Sequence, residues 1–420
     1  MHNFEYRQGE LYCEQVPVSQ IAKQVGTPCY IYSHATLIRH IRAYDSAFKN
    51  IPHVIAFAMK ANSNLAILRL MAKEGSGVDI VSGGELFRAL KAGVPPSKIV
   101  FAGVGKNADE IRDALKAGIL MFNIESSAEM HALNDVAASL GKTAPVALRI
   151  NPDIDPKTHP YISTGLKKSK FGIAADRALE EFRMASTLRH IHVVGVHAHI
   201  GSQLTEVTPF VESLKKVLAL VDTLKGQGIT IQYLNIGGGL GITYSDEKPP
   251  LPQELADAVS PLVKGLDLTL VMEPGRVIVG NAGILVTKAL YEKIGESKRF
   301  IIVDAAMNDL IRPSLYSAYH DIRPVSESLL HRPKHAVDVV GPVCESGDFL
   351  AKDRSLPEVK PGDLLAVMSA GAYGFVMASN YNSRPRVPEV LVRDGEVHVI
   401  RERETYEDLV RGETIPDFLG

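Results

Sequence analysis

Lys60 closes the apolar run Val54–Met59, in the stretch Phe57-Ala58-Met59-Lys60-Ala61-Asn62. Most lysines are plain surface residues. One at the end of an apolar run can instead be desolvated, which lowers its pKa and lets it condense with an aldehyde. Further along, Gly237-Gly238-Gly239 follows the run Ile231–Ile236. Such a triplet is either a flexible turn or a place where a phosphate can approach main-chain N–H groups. A lysine that traps an aldehyde and a loop that cradles a phosphate together point to pyridoxal 5'-phosphate.

Glu273, in Glu273-Pro274-Gly275-Arg276, fits that cofactor. A carboxylate facing a pyridine nitrogen favours the protonated ring and so strengthens it as an electron sink. An ion pair with Arg276 is the competing use and does not exclude the first. His197 and His199 lie two apart on one run, so both side chains point to the same face. One imidazole could stack on the cofactor ring. A His-x-His pair also occurs in metal-dependent barrel hydrolases, but Asp79 is the sole candidate partner at a strand end and no third histidine joins it, so no metal is expected.

These residues need a scaffold that gathers them. Eight short apolar runs recur: Val54–Met59, Val78–Val81, Ile99–Ala102, Leu120–Ile124, Val146–Ile150, Val193–Ile200, Ile231–Ile236 and Leu268–Met272. Between them, apolar residues fall at helical spacing, as in Leu86, Phe87 and Leu90, or Ile111, Ala114 and Leu115. Two of these helices end in Lys-Ala-Gly, at 91–93 and 116–118, with glycine suited to a left-handed cap. Strands alternating with helices predict a parallel sheet, and eight units predict an α/β fold of (β/α)8 TIM-barrel type. An open doubly wound sheet is the alternative. Barrel sites lie at the C-terminal ends of the strands, where nearly all the reactive residues fall.

After Gly275 the rhythm changes to runs without regular helices between them, at Ile284–Leu290, Phe300–Val303, Val337–Val340 and Leu364–Met368. Leu391–Val399 reads as a hairpin whose Asp394-Gly395 turn supplies the positive φ angles. The expected division is a barrel over 33–275 and a second, mostly β domain from 276–420 together with the N-terminal segment 1–32.

A net charge of −2 without a basic stripe argues against nucleic acid as a partner. The apolar runs are too short to span a membrane, and the start of the chain lacks a signal-peptide core. Cys13, Cys29 and Cys344 are too few and too scattered for a disulfide framework. A soluble cytoplasmic protein is expected.

Taken together, these motifs resemble the alanine-racemase-like barrel decarboxylases that use pyridoxal phosphate, most closely the diaminopimelate decarboxylase family. The resemblance runs over nearly the whole chain. It includes the Lys60 stretch, Val78-Asp79-Ile80-Val81-Ser82-Gly83-Gly84-Glu85, His199-Ile200-Gly201-Ser202-Gln203 and Glu273–Arg276. It continues through Arg312-Pro313-Ser314-Leu315-Tyr316, Cys344-Glu345-Ser346-Gly347-Asp348 and Ala372-Tyr373-Gly374, with departures at the flanking residues Phe57 and Ala198.

The resemblance implies that Lys60 carries the cofactor and that His199 stacks on its ring. Ser202, Gly237, Gly238, Gly239, Gly275 and Arg276 would hold the phosphate region, with Glu273 at the pyridine nitrogen and Asp79 and Tyr373 also at the cofactor. Arg276, Arg312, Tyr316, Glu345 and Tyr373 would bind substrate, and Cys344 would donate a proton. A bidentate arginine suits a distal carboxylate and Glu345 a distal ammonium. The implied reaction is decarboxylation of meso-2,6-diaminopimelate at its D-centre to L-lysine. The implied assembly is a homodimer with shared active sites. A racemase of the same fold is expected to carry arginine where Glu273 stands, and a non-catalytic relative should have lost Lys60 or Cys344.

Overall fold

All eight apolar runs form strands in the computed structural model, which describes residues 2–154 and 170–420. They are β1 (His53–Ala58), β2 (Gly77–Ile80), β3 (Ile99–Phe101), β4 (Met121–Ile124), β5 (Ala144–Asn151), β6 (Ile191–His197), β7 (Tyr233–Asn235) and β8 (Thr269–Met272). Each pairs in parallel with the next, and β8 pairs in parallel with β1, Leu270 opposite His53 and Met272 opposite Ile55. The sheet is therefore a closed barrel. Side chains such as Ala56, Val100, Met121, Ala147 and Val271 pack into one apolar cluster. The two-residue strand Ile173–Ala174 adds in parallel to the end of β5 at Ile150 and Asn151.

Local signals explain the helices between the strands. Helix Ala108–Ala117 opens on a capping box, in which Asn107 Oδ1 accepts the Glu110 N–H at 3.0 Å and the Glu110 carboxylate accepts the Asn107 N–H at 3.0 Å. It ends at Gly118 with φ 73°, and helix Gly83–Lys91 ends beside Gly93 with φ 79°. Ile111, Ala114 and Leu115 are buried as their spacing predicts. Helix Gly83–Lys91 corrects the expectation: it buries Leu86 and Ala89, while Phe87 is 65% and Leu90 40% exposed. The strip is turned so that the small Ala89 faces inward, and Lys91 Nζ lies 5.7 Å from the Phe87 ring centre.

The chain divides into two compact units, Ile38–Ile278 and a second made of Met1–Leu37 with Val279–Gly420. In the second, the long strand Gly283–Ile294 pairs antiparallel with Cys29–Ser33, Arg299–Val303 and Leu364–Val367. Cys29–Ser33 pairs in parallel with Glu389–Arg393 on its other side. Ile31, Ile284, Val286, Ala366, Val390 and Val392 form its core with Leu11, Cys13 and Val16 from the N-terminal strands. The hairpin Glu389–Arg401 is present, but its turn differs from the expectation: Asp394 takes a positive φ of 53° and Gly395 does not. The turn is held from outside. The Asp394 N–H donates to Glu14 Oε2 at 2.6 Å, and the Asp394 carbonyl accepts the Gln15 N–H at 3.0 Å. No described helix is long and apolar enough to cross a membrane.

Candidate active site

Lys60 sits in the tight turn Met59–Ala61 immediately after β1. Asn64, three residues past that turn, caps the following helix by accepting the Ala66 N–H at 2.9 Å. Lys60 Nζ donates to Asp79 Oδ2 at 2.9 Å, and Asp79 lies within β2 with no exposed surface. Burial, with Glu273 nearby, pushes the Asp79 carboxyl up to about 6, while Lys60 opposes the rise. Glu85 accepts the Val81 N–H at 2.6 Å, and burial pushes its carboxyl up to about 7.

Glu273 directly follows β8 and is buried. Its Oε1 accepts Asn235 Nδ2 at 2.7 Å and Asn123 Nδ2 at 3.2 Å, and its Oε2 lies 3.6 Å from His197 Nε2. Burial alone would raise its carboxyl, but His197, Lys60 and His199 outweigh that and hold it below the usual carboxylate range. The result is an ionised acceptor buried in the barrel. Asp79 Oδ1, Asn123 Oδ1 and both His197 ring nitrogens are buried without a hydrogen-bond partner in the protein, so the mouth holds polar atoms that a polar ligand can satisfy.

His199 lies two residues beyond the end of β6, and its Nδ1 accepts the Gly238 N–H at 3.2 Å. That bond puts the ring proton on Nε2. Burial, with Arg149 and Lys60 acting in the same sense, pushes His199 well below 6.5, so its ring is a neutral flat face.

The glycine triplet is fixed by close main-chain approach. A Cβ on Gly238 would fall 2.1 Å from the Glu273 carbonyl oxygen, one on Gly239 2.5 Å from the Gly201 carbonyl, and one on Gly237 2.6 Å from His199 Nδ1. A Cβ on Gly275 would lie 3.1 Å from those of Ala58 and Ala61. Beside the loop, buried Arg276 donates from Nη1 to the Tyr244 hydroxyl at 2.6 Å and from Nη2 to Ser202 Oγ at 3.1 Å. A guanidinium, two hydroxyls and a glycine loop make an anion site.

Asn123, Asn235 and Tyr244 did not stand out in the sequence. The signal for the first two was an amide inside an otherwise apolar strand, where burial requires partners. A second missed group supports the end of β4. Lys106, with almost no exposed surface, donates to the carbonyls of Gly103 and Asn123 at 2.7 and 2.8 Å and to Glu129 Oε1 at 2.6 Å. Glu129 Oε2 accepts the Glu125 N–H at 2.8 Å, and Glu125 Oε1 accepts Arg149 Nη1 at 2.7 Å. The buried pair thus ties down the main chain from the carbonyl of Asn123, whose amide holds Glu273, to the N–H of Glu125.

The other sequence-predicted residues lie in the β-rich unit. Arg312 opens the short helix Arg312–Tyr316 and is buried, whereas Tyr316 and Tyr373 are half-buried. Tyr373 takes a φ of 55°. Cys344 and Glu345 lie on an exposed loop, where the Cys344 N–H donates to Asn382 Oδ1 at 2.8 Å and Tyr381 donates to Glu345 Oε2 at 3.4 Å. Ser314 Oγ donates to the Gly347 carbonyl at 2.5 Å, which joins the Arg312 helix to that loop. Cys13 and Cys29 are buried thiols, and burial pushes Cys29 up to about 12. Among the described residues no cluster of His, Cys, Asp and Glu is arranged to hold a metal ion.

Residues 34–280 match the family model for the pyridoxal-binding domain of pyridoxal-dependent decarboxylases. The chain is 54% identical over 419 residues to a diaminopimelate decarboxylase of Pseudomonas aeruginosa, covering 99% of each chain. The chain belongs to the diaminopimelate decarboxylase family. Among solved structures, the diaminopimelate decarboxylase of M. jannaschii in complex with L-lysine superposes with a TM-score of 0.94 at 42% identity and covers 100% of both chains. The Helicobacter pylori family member, also complexed with L-lysine, gives 0.90 at 47% identity, covering 94% of this chain and 98% of its own. Membership makes pyridoxal 5'-phosphate the cofactor, and the barrel mouth fits it: an ionised buried carboxylate, an anion cradle and a lysine reachable from solvent lie around one rim.

Proposed function

We propose that this protein decarboxylates meso-2,6-diaminopimelate to L-lysine and CO2, with the barrel residues above as its cofactor site. The observation that supports the reading is Glu273, a buried carboxylate kept ionised by its neighbours, which would face the ring nitrogen of the cofactor. Lys60 would hold the cofactor covalently, with Asp79 balancing its charge. Gly237, Gly238, Gly239, Gly275, Ser202 and Arg276 would hold the phosphate, and His199 would cover one face of the ring. When bound, the cofactor supplies a cationic ring that accepts the electron pair left as the carboxylate departs.

The remaining work falls to side chains around the substrate. Arg276, Arg312, Tyr316 and Tyr373 take the distal carboxylate and orient the chain, while Glu345 takes the distal ammonium. That clamp decides which end reaches the cofactor. Cys344 gives its thiol proton to the Cα that has lost CO2 and recovers one from solvent. The working unit is a homodimer in which Cys344 and Glu345 of the partner subunit complete each barrel site, and the enzyme acts in the cytoplasm.

The test is CO2 release from meso-diaminopimelate, ornithine and arginine by the purified holoenzyme. Release from meso-diaminopimelate should dominate, because the other two lack a distal carboxylate. Faster release from ornithine or arginine rejects the substrate and leaves the cofactor chemistry standing. Glu345→Ala should weaken transition-state binding by about 2–5 kcal/mol, since it strips the partner from a desolvated ammonium.

A further inference from the structure

Arg312 is buried, and the acceptor facing its Nη1 is an imidazole: His320 Nε2, at 2.8 Å. A guanidinium carries only N–H donors, so that nitrogen must present its lone pair. The His320 proton is therefore on Nδ1, which donates to the Met368 carbonyl at 2.9 Å. His320 has no exposed surface, and its own carbonyl accepts Arg354 Nη1 at 2.7 Å. The Met368 N–H donates to the Asp321 carbonyl at 2.8 Å, so ring and main chain are anchored on the same stretch. Both ring nitrogens are used, and the acceptor role of Nε2 requires the neutral form.

This arrangement has a chemical consequence. A carboxylate in that position would hold Arg312 equally well but would cancel its charge and compete with an incoming anion. An uncharged acceptor fixes the guanidinium without itself cancelling the charge. We propose that His320 is a positioning residue that sets Arg312 for the distal carboxylate of the substrate, and that it works because it is a neutral acceptor. The inference rests on the reading of Arg312 as a substrate ligand.

The test uses four holoenzyme variants: His320→Gln, His320→Glu, His320→Leu and Arg312→Gln. Each is measured for kcat and KM with meso-diaminopimelate, inhibition by L-lysine and thermal midpoint. Gln can present a neutral oxygen, so KM and the L-lysine inhibition constant should stay within about threefold of wild type. Glu should raise both roughly tenfold or more with kcat within about twofold, the pattern of lost uniform binding. Its thermal midpoint should equal or exceed that of Leu, so stability and affinity part company, which a merely structural role does not allow.

Wild-type KM in the Glu variant, or a Gln variant as impaired as Glu, overturns the proposal. If the Glu variant does not fold, Gln against Leu decides: KM must rise in Leu and not in Gln. An unchanged KM in Arg312→Gln rejects Arg312 as a substrate ligand. A raised KM there with a flat His320 series rejects His320 alone.

Discussion

The Lys60 ammonium, with its side chain 38% exposed, is bonded at 2.9 Å to a carboxylate of Asp79 that has no exposed surface. One end of the pair can therefore be reached by a small aldehyde while the other stays fixed in the barrel wall. Borohydride treatment of the holoenzyme, followed by peptide mass spectrometry, should place the pyridoxyl group on Lys60, and Lys60→Ala should abolish turnover. An adduct on a different lysine rejects the assignment.

Glu273→Gln keeps the shape of the side chain and removes its charge. Removing one preorganised electrostatic group from a buried site typically costs about 100-fold to 1000-fold in kcat, and a loss of that order is expected here. KM should change by no more than a few-fold. A variant that keeps wild-type kcat would show that the ionised carboxylate is not used.

Gly238→Ala puts a methyl group 2.1 Å from the Glu273 carbonyl oxygen, so the loop must move. Overpacking of this kind costs about 1–3 kcal/mol of stability. The more telling readout is cofactor retention. The dissociation constant for pyridoxal phosphate, measured by fluorescence titration of the cofactor-free protein, should rise at least about tenfold.

The pH dependence of stability without cofactor follows from two raised carboxyls. Asp79 moves from 3.8 to about 6 and Glu85 from 4.5 to about 7, both chiefly through burial. Each binds its proton more tightly folded than unfolded, so stability falls as pH rises across that window and levels off above it. Glu273, held low, acts in the opposite sense: its contribution is full above its unfolded value of 4.5 and is lost progressively as pH falls below it. The urea midpoint of the cofactor-free protein should therefore be lower at pH 8 than at pH 5, and Glu85→Gln should shrink the difference. An equal or higher midpoint at pH 8 contradicts the burial of these groups.

Shared sites can be tested by mixing Lys60→Ala and Cys344→Ala proteins, each nearly inactive, under conditions of proven subunit exchange. Random exchange makes about half the dimers mixed, each with one intact composite site, so activity should recover to roughly a quarter of wild type. A mixture as inactive as its parents places the whole site within one chain.

Much of the barrel was legible because each short apolar run is followed directly by a polar or small residue, so Lys60, His199, the glycine loop and Glu273 fall on one rim. What could not be read is pairing across the barrel. Asn123 and Asn235 are 150 and 38 residues from Glu273 and look like minor breaks in apolar strands. Lys106 reads as a loop lysine, and its burial depends on Glu129, 23 residues away. Phe87 misled for a related reason: helical spacing locates an apolar strip but does not say that each member of it is covered.

Cys29–Ser33 lies between Gly283–Ile294 and Glu389–Arg393, and the Tyr32 hydroxyl donates to Glu389 Oε1 across 357 residues of sequence. During synthesis at about 5–20 residues per second, a segment made in the first seconds waits tens of seconds for its second neighbour. The barrel residues leave the ribosome in that interval, so their folding can precede completion of the sheet. A chain released before Glu389 would leave one edge of the buried, apolar Cys29–Ser33 segment bare, the kind of edge that pairs with other chains. Premature termination before codon 389 should therefore yield aggregates rather than a weakened enzyme.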